Sequence, residues 1–510
     1  MVREPHETQD LSFEYPDSEI VIGLGCPVGT DYSKVSQHLI RSLSSYGYRA
    51  NILVVSSFIT ETAEALGLGI PLPSHPEAAR LEAYMDAGNG IRRETGRCDV
   101  FALVAASRLA SSRSGADAGN PEPFPRVVHL ILTLKRPEEV ETLRRIYGPG
   151  FFLVGVTASE QQRLEFLMNE KSVARDDAVR LIKRDLEDED REFGQRTRDT
   201  FHLSDVFVAA NGLGHRKDLD RFLQLIFGFP YSAPTPDELG MYHAFSASLR
   251  SVQLGRQVGA SLVNRDHDLI AVGCNEVPAA GGGLYWEGNR PDFRDHVRRE
   301  DSNDRRKAEI IADIVSRLRA SGLLLPVSET APSAELVLRK SMLWDITEFG
   351  RAVHAEMDAL LSCSRTGMSP VGATLYTTTF PCHNCTRHIV AAGIRRVVYI
   401  EPYPKSQAAP LHDDSIRVEG AIETRRRPRR NDTRIPFEPF IGIGPRIFDL
   451  FSIMLSKGYQ IERKTRQGRT LDWKPRSNAK PRVPMAPTSY LQREMRAAKE
   501  VYSLIDAKRE

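Results

Sequence analysis

Hydrophobic residues in the first 230 positions occur in short apolar runs that alternate with segments of helical period. The apolar runs are residues 19–25, 52–55, 127–132, 151–156 and 206–209. Strands that alternate with crossover helices are typical of an open parallel sheet with helices on its faces. The pattern therefore predicts an α/β domain over residues 1–230.

The prolines of FPYSAPTP, residues 229–236, interrupt this alternation, because proline continues neither a helix nor a central strand. We place a domain boundary there and predict a second α/β domain over residues 231–420. Its residues 287–350 are charged and mostly of helical pattern, which indicates an insertion. Residues 421–510 form a basic extension that we expect to pack on the second domain.

Composition excludes several classes of protein. The chain has 510 residues, more than one hydrophobic core usually supports. Its 69 Lys and Arg nearly balance 67 Asp and Glu, so no overall charge attracts nucleic acid or membranes.

The first residues lack the apolar region of a signal peptide, and no apolar run reaches about 18 residues. Six cysteines are too few for a disulfide scaffold. We expect a cytoplasmic protein without membrane attachment.

The strongest chemical signal is His354-Ala355-Glu356, followed after a predicted strand by Pro381-Cys382-His383-Asn384-Cys385. H-x-E with a later P-C-x-x-C is the signature of zinc-dependent nucleobase deaminases. A catalytic zinc ion takes three protein ligands and keeps a fourth position for water. We predict that His354, Cys382 and Cys385 bind one Zn²⁺, and that both ligand groups lie at helix N-termini, where thiolates are favoured.

Glu356 is one residue removed from a predicted ligand and is the expected proton shuttle between water, the base and the departing amine. A second interpretation is a purely structural zinc site, in which His354 only caps a helix and other ligands complete the metal's coordination. His383 and His388 are rival ligands in principle, although ordinary surface or packing roles suit them better. The H-x-E element favours the catalytic interpretation.

Near the N-terminus, Gly23, Gly25 and Gly29 lie between a predicted strand and a predicted helix. Backbone N–H groups in such a loop can cradle phosphate, so we predict nucleotide binding by these glycines and Thr30. A functional Walker A loop carries lysine and then serine or threonine after its last glycine, whereas Thr30 and Asp31 occupy those places here. The alternative is a scaffold that has lost its ligand.

The segments HAEMDAL, AVGCNEVP and LYTTTFPCHNCTRHIVAAGIRRVVYIEPYPKS resemble the deoxycytidylate deaminase branch of the cytidine deaminase superfamily. With an N-terminal nucleotide-binding domain in front, the chain looks like the bacterial anti-phage dCTP deaminase family. The resemblance implies a P-loop kinase-like front domain, degenerate here, and a three-layer α/β/α deaminase domain. It implies deamination of dCTP and of dCMP, and a hydrogen bond from Asn275 to the nucleoside; the alternative for Asn275 is a turn residue before Pro278. Tyr403 is a candidate to stack on the base or sugar, with a core position as the alternative.

Three other functions remain as alternatives: a housekeeping dCMP deaminase, a deaminase that edits nucleic acid, and a regulatory protein with a silent zinc site. The near-neutral charge disfavours editing, because editing requires an extended basic, aromatic-rich groove. We also expect a homo-oligomer. The basic run Arg425–Arg430 suits a solvated loop, and the resembled family includes members restrained by a small RNA, which makes a regulatory RNA a second partner to consider.

Overall fold

A computed structural model of the chain describes residues 17–114, 121–188, 192–210, 214–324, 333–403, 406–419, 432–453, 461–483 and 487–506. The described residues form two compact units. The first contains those up to Glu238 and from Phe440 onward, and the second contains those from Leu239 to Pro439. No helix in the described ranges has both the length and the apolar character needed to cross a membrane.

The first unit is built on a six-stranded sheet in the order β12-β5-β4-β1-β3-β2. Its strands are β1 (Ile20–Gly25), β2 (Arg49–Val54), β3 (Val127–Leu134), β4 (Phe151–Thr157), β5 (Val206–Ala209) and β12 (Gly442–Ile443). The first five pair in parallel, and β12 pairs with β5 in the antiparallel sense. The five apolar runs thus lie in the strands of the predicted open parallel sheet. Four of these strands are largely buried and apolar, as is usual in parallel sheets, whereas the edge strand β2 is mostly exposed.

Helices connect these strands. They are α1 (Ser33–Ser45), α2 (Val55–Ala65), α3 (Glu77–Thr95), α4 (Val100–Ser111), α5 (Pro137–Tyr147), α6 (Glu160–Asn169), α7 (Arg175–Glu187), α8 (Thr197–Phe201) and α9 (Gly214–Ile226). In α1, buried Val35, Leu39 and Leu43 recur at a spacing of four residues and so share one face of the helix. This spacing is what anchors the helix to the apolar core of the unit.

The C-terminal segment from Phe440 onward also belongs to the first unit, which corrects the expectation that residues 421–510 pack on the second domain. Its helices are α17 (Pro475–Asn478) and α18 (Pro487–Asp506). Helix α18 packs on α4, and its Tyr490, Leu491 and Val501 are buried in the first core. The buried Arg113 guanidinium donates two hydrogen bonds to the Glu494 carboxylate of α18, at 2.6 and 2.7 Å.

The second unit has its own six-stranded sheet in the order β10-β11-β9-β8-β6-β7. The strands are β6 (Gly259–Val263), β7 (Leu269–Cys274), β8 (Thr374–Thr379), β9 (Arg396–Glu401), β10 (Ile416–Val418) and β11 (Ile435–Pro439). Strands β8 to β11 pair in parallel, while β6 pairs with both β7 and β8 in the antiparallel sense. The described chain is therefore mixed α/β, with two sheets that are mainly parallel.

The chain enters the second unit within α10. The helices here are α10 (Pro236–Ser248), α11 (Asp295–Arg298), α12 (Ser302–Ala320), α13 (Ala334–Leu338), α14 (Ala355–Thr366), α15 (His383–Ala391) and α16 (Ala408–Leu411). The described residues between 287 and 350 contain α11, α12 and α13; that this segment is an insertion remains a prediction. Strand β6 is an element that the sequence pattern did not predict.

Helix α14 approaches β7 closely because a glycine lies between them. A Cβ atom on Gly273 would lie 2.2 Å from the Ala355 carbonyl oxygen and 2.4 Å from the Ala359 amide nitrogen. Both of these atoms belong to the helix backbone, which cannot rotate away as a side chain can. Replacing Gly273 would therefore displace the first turn of α14.

We expect the substitution Gly273→Ala to lower the thermal melting temperature of the protein and to disturb the first turn of α14. Overpacking of this kind costs about 1–3 kcal/mol, and a clash with backbone lies at the upper end. Gly255→Ala is the matched control, because a Cβ there meets no atom within 4 Å. Calorimetric melting of both variants checks the prediction, and equal melting temperatures would contradict it.

Candidate metal centre

Two helix N-termini carry the predicted zinc ligands. His354 is the N-cap residue of α14, and Cys382 is the N-cap residue of α15. Both have extended backbone angles, and the Cys382 sulfur accepts a hydrogen bond from the Cys385 amide at 3.5 Å. Partial positive charge at a helix N-terminus stabilises a thiolate there. The helix geometry thus supplies the environment that metal-binding cysteines need.

The three predicted ligands meet at one point. The His354 Nδ1 atom lies 3.4 Å from the Cys382 sulfur and 3.3 Å from the Cys385 sulfur. The three donor atoms all lie within 4.8 Å of one another. Tetrahedral zinc, with bonds of about 2.3 Å to sulfur and about 2.0–2.1 Å to nitrogen, separates such ligand atoms by about 3.5 Å. The spacing and the donor types therefore fit a zinc ion.

The pKa values of the three residues of this cluster shift in different directions. The hydrogen bond from the Cys385 thiol lowers the pKa of Cys382 to about 4, so Cys382 is a thiolate at neutral pH. The hydrogen bond to Cys382 raises the pKa of His354 to about 9, while the same cysteine pairing raises the pKa of Cys385. Negative charge is thus concentrated on one sulfur, where the neighbouring groups stabilise it.

Glu356 lies beside the cluster in the first turn of α14. It is 4 % exposed, and its Oε2 atom accepts a hydrogen bond from the Cys385 sulfur at 3.4 Å. Burial raises the pKa of this carboxyl group above its usual value. A carboxyl group with a raised pKa can both take up and release a proton near neutral pH. Its position next to a sulfur of the cluster suits proton transfer there.

The two rival histidines do not join the cluster. His383 directs its Nε2 atom to Glu348 Oε1 at 3.3 Å, and His388 is exposed on α15. Glu348 also accepts a hydrogen bond from the Asn384 amide at 3.4 Å. Glu348, which belongs to segment 287–350, therefore binds the first turn of α15 and keeps His383 away from the three donor atoms.

The two residues expected to contact the nucleoside have different surroundings. Asn275 directly follows β7 and is half-buried; its Oδ1 accepts from the Val258 amide and its Nδ2 donates to the Arg256 carbonyl, both at 2.7 Å. These bonds use one donor and one acceptor site of the amide and fix the loop that precedes β6. Tyr403 is half-buried and packs against the second core. Their substrate contacts remain predictions.

Sequence reasoning missed a charged group at the carboxyl ends of β8 and β9. Glu401 ends β9, accepts a hydrogen bond from Thr379 at 3.3 Å and pairs with the guanidinium of Arg256. Arg256 is half-exposed, and its carbonyl oxygen is bound by the Asn275 amide. No local motif marks these residues, because they come from three separate segments of the chain.

The predicted nucleotide loop is only partly a loop. Gly23 and Gly25 lie within β1, where they pair with β3 and β4. Gly29 and Thr30 lie beyond the strand and line a cavity of about 860 Å³ in the first unit. Gly29 adopts a positive φ of 81°, and a Cβ there would lie 2.9 Å from the Arg163 carbonyl oxygen. The basic run Arg425–Arg430 falls outside the described residues.

Comparison with known proteins identifies the second unit. Residues 234–401 match the family model of the cytidine and deoxycytidylate deaminase zinc-binding region. The deoxycytidylate deaminase of Enterobacteria phage T4 is 40% identical over 86 residues, 17% of this chain and 43% of that protein. ComE operon protein 2 of Bacillus subtilis is 47% identical over 53 residues, 10% of this chain and 28% of that protein.

A solved structure, the dCMP deaminase of cyanophage S-TIM5, aligns with 41% of this chain and 100% of its own, at 17% identity and a TM-score of 0.22. The chain spans less than half the length of the two curated relatives named above. The matched range contains Asn275, Glu356 and all three residues of the cluster, and it ends two residues before Tyr403. Residues 234–401 are thus similar to the zinc-binding region of cytidine and deoxycytidylate deaminases.

Proposed function

We propose that this chain is a zinc-dependent hydrolase that deaminates deoxycytidine nucleotides. Water replaces the 4-amino group of cytosine, and the products are the deoxyuridine nucleotide and ammonia. The observation that carries this proposal is the buried convergence of His354, Cys382 and Cys385, with the Glu356 carboxyl group next to one of the sulfurs. Similarity to named deoxycytidylate deaminases supports the choice of base.

The three donor atoms would hold the metal, and both sulfurs would be ionised when it is bound, because metal ligands must be deprotonated. Zinc bound by these residues would supply Lewis-acid activation of water at neutral pH. His354 lies at the N-cap position of α14 and directs its Nδ1 atom to both sulfurs. The chain thus contributes three ligand atoms that already lie close together. A fourth coordination position would be open to water or substrate.

Glu356 would accept the proton that water loses when it attacks C4 of the cytosine ring. The same carboxyl group would then protonate N3 of the ring, take up the second proton from the hydroxyl group now attached to C4, and deliver it to the departing amine as the C4 carbonyl forms. Burial raises the pKa of Glu356, which favours the protonated carboxyl group that such a transfer requires.

The substrate we propose is dCTP, with dCMP also accepted, as the resemblance to anti-phage deaminases implies. Under this proposal the protein would deplete dCTP during phage infection. Asn275 and Tyr403 would contact the nucleoside. The second candidate is a dCMP deaminase, which the names of the curated relatives favour.

Substrate assays distinguish these candidates. The purified protein should release ammonia from dCTP and dCMP, but not from cytosine within single-stranded DNA. Activity on dCMP with none on dCTP would replace the first candidate by the second. Conversion of polynucleotide cytosine to uracil, with no reaction on free nucleotides, would contradict both candidates.

We expect Glu356→Gln to retain zinc and to reduce kcat by about 10²–10⁴-fold, the contribution typical of a general acid-base group. Metal analysis and steady-state kinetics on dCTP and dCMP check this together. Glu309→Gln, an exposed change on α12, is the matched control and should retain full activity. Turnover at the normal rate by the Glu356→Gln variant would contradict the assigned role.

Removal of one ligand should abolish both metal content and activity. We expect Cys385→Ser to reduce zinc from one ion per chain to a small fraction and to lower the melting temperature, since metal binding stabilises the folded state. Cys98→Ser, at a partly exposed cysteine of the first unit, should leave both unchanged. Elemental analysis checks the outcome; a Cys385→Ser variant that holds one zinc ion and remains active would exclude Cys385 as a ligand.

A further inference from the structure

Positive charge is concentrated in the C-terminal segment of the first unit. Residues 461–483 contain eight Lys and Arg but only two acidic residues, Glu462 and Asp472. The whole chain has a formal charge of only +2, so the remaining residues together are negative. The near-neutral composition of the chain therefore hides a strongly basic segment, which the metal centre does not use.

Residues 463–471 fold into a two-stranded antiparallel ribbon, which we call the basic ribbon. Lys464 pairs with Thr470, and the Thr465 amide donates a hydrogen bond to the Arg469 carbonyl oxygen at 2.7 Å. Gly468 closes the turn with a φ of 80°, a value that strains residues other than glycine. The turn thus places cations on both strands of the ribbon.

Tyr231 holds the open end of the basic ribbon. Its hydroxyl group accepts a hydrogen bond from the Leu471 amide at 2.7 Å and donates one to the Arg463 carbonyl oxygen at 2.8 Å. The Arg463 side chain in turn donates to the Pro230 carbonyl oxygen at 2.8 Å. All of these residues belong to the first unit. Because its base is fixed, the ribbon loses less conformational freedom on binding a partner than a loose tail would.

Four cations of the ribbon and of the residues just after it are exposed and form no ion pair with a described acidic residue. They are Lys464, Arg466, Arg469 and Arg476. Lys474 does pair with Asp472, at 3.4 Å. Exposed arginines of other elements also have partners, as Arg317 has Asp313 on α12 at 2.8 Å. Unpaired cations gathered on one short segment favour binding of a polyanion.

The shape of the ribbon selects the kind of polyanion. The major groove of B-DNA, about 12 Å wide, admits a two-stranded ribbon, whereas the major groove of duplex RNA is deep and narrow. Lys464 lies on the opposite face from Arg463, because successive residues of a strand alternate between faces. Since Arg463 contacts the body of the unit, Lys464 lies on the outer face, where a groove wall would meet it.

Two other polyanions fit the ribbon less well. Single-stranded nucleic acid is held mainly by bases that stack on exposed aromatic rings. Residues 461–472 contain no aromatic residue, and Trp473 is half-buried against Phe229. Anionic membranes favour segments that also expose apolar side chains. Leu471 is the apolar residue of the ribbon, and it is half-buried.

We propose that the basic ribbon docks this protein on double-helical DNA. The side chains of Lys464, Arg466, Arg469 and Arg476 contact backbone phosphates along the major groove, so the binding does not depend on base sequence. The duplex is a docking partner and not a substrate. The inference concerns the first unit alone and does not rest on the proposed deaminase activity.

Fluorescence anisotropy with the full-length protein and a labelled DNA duplex tests the proposal. With a duplex of about 20 base pairs, we expect a Kd of about 10⁻⁴–10⁻⁶ M at physiological salt, and a slope of log K against log salt of about −3.6 for four phosphate contacts. The single strand and a duplex RNA of the same length should bind at least about tenfold more weakly. Equal affinity for either, or no binding to the DNA duplex at low salt, would overturn the proposal.

Variants locate the contacts. Lys464→Gln, Arg466→Gln and Arg469→Gln should each weaken duplex binding and reduce the magnitude of the salt slope by about 0.9. Arg175→Gln, an equal change of charge at an exposed residue of α7, is the matched control and should leave the slope unchanged. Because all four side chains are exposed, the variants should melt at the temperature of the unmodified protein. A triple ribbon variant that keeps the original affinity and slope would overturn the assignment.

Discussion

The contact between helix α14 and strand β7 is the constraint on which the metal centre depends. A glycine on the strand lets the two backbones approach, and the approach fixes where the helix begins. His354 and Glu356 then take their positions from the helix itself, one as its cap and one in its first turn. Helix α15 supplies the cysteines in the same way, so two short helix ends define the whole arrangement.

Local patterns in the sequence were sufficient to predict which side chains form the His354, Cys382 and Cys385 cluster, and to predict the parallel strands of the first unit. The H-x-E and P-C-x-x-C motifs are short, and each lies at a helix start, so their geometry follows from local backbone structure. The parallel strands of the first unit coincide with short apolar runs, and these could also be recognised from the sequence. Strand β6 was missed because Gly259, Ala260 and Ser261 are small residues that give a weak strand pattern.

The features that could not be predicted from the sequence depend on contacts between residues far apart in the chain. Helix α18 was assigned to the wrong domain because only tertiary structure shows that Glu494 meets Arg113, 381 residues earlier in the chain. The Val28 amide likewise donates a hydrogen bond to Asp185, 157 residues later in the chain, so no motif in the glycine-rich segment could reveal that this amide is occupied. Both contacts involve buried charges, which persist only when a partner compensates their lost hydration.

The first unit is discontinuous in sequence, since strand β12 and helix α18 follow the deaminase domain. During synthesis the ribosome releases all six strands of the second sheet before it has made the helix that covers α4. The second sheet can therefore form while the first unit still exposes part of its core to solvent. Cotranslational folding of this chain would not follow the order of its domains from the N-terminus.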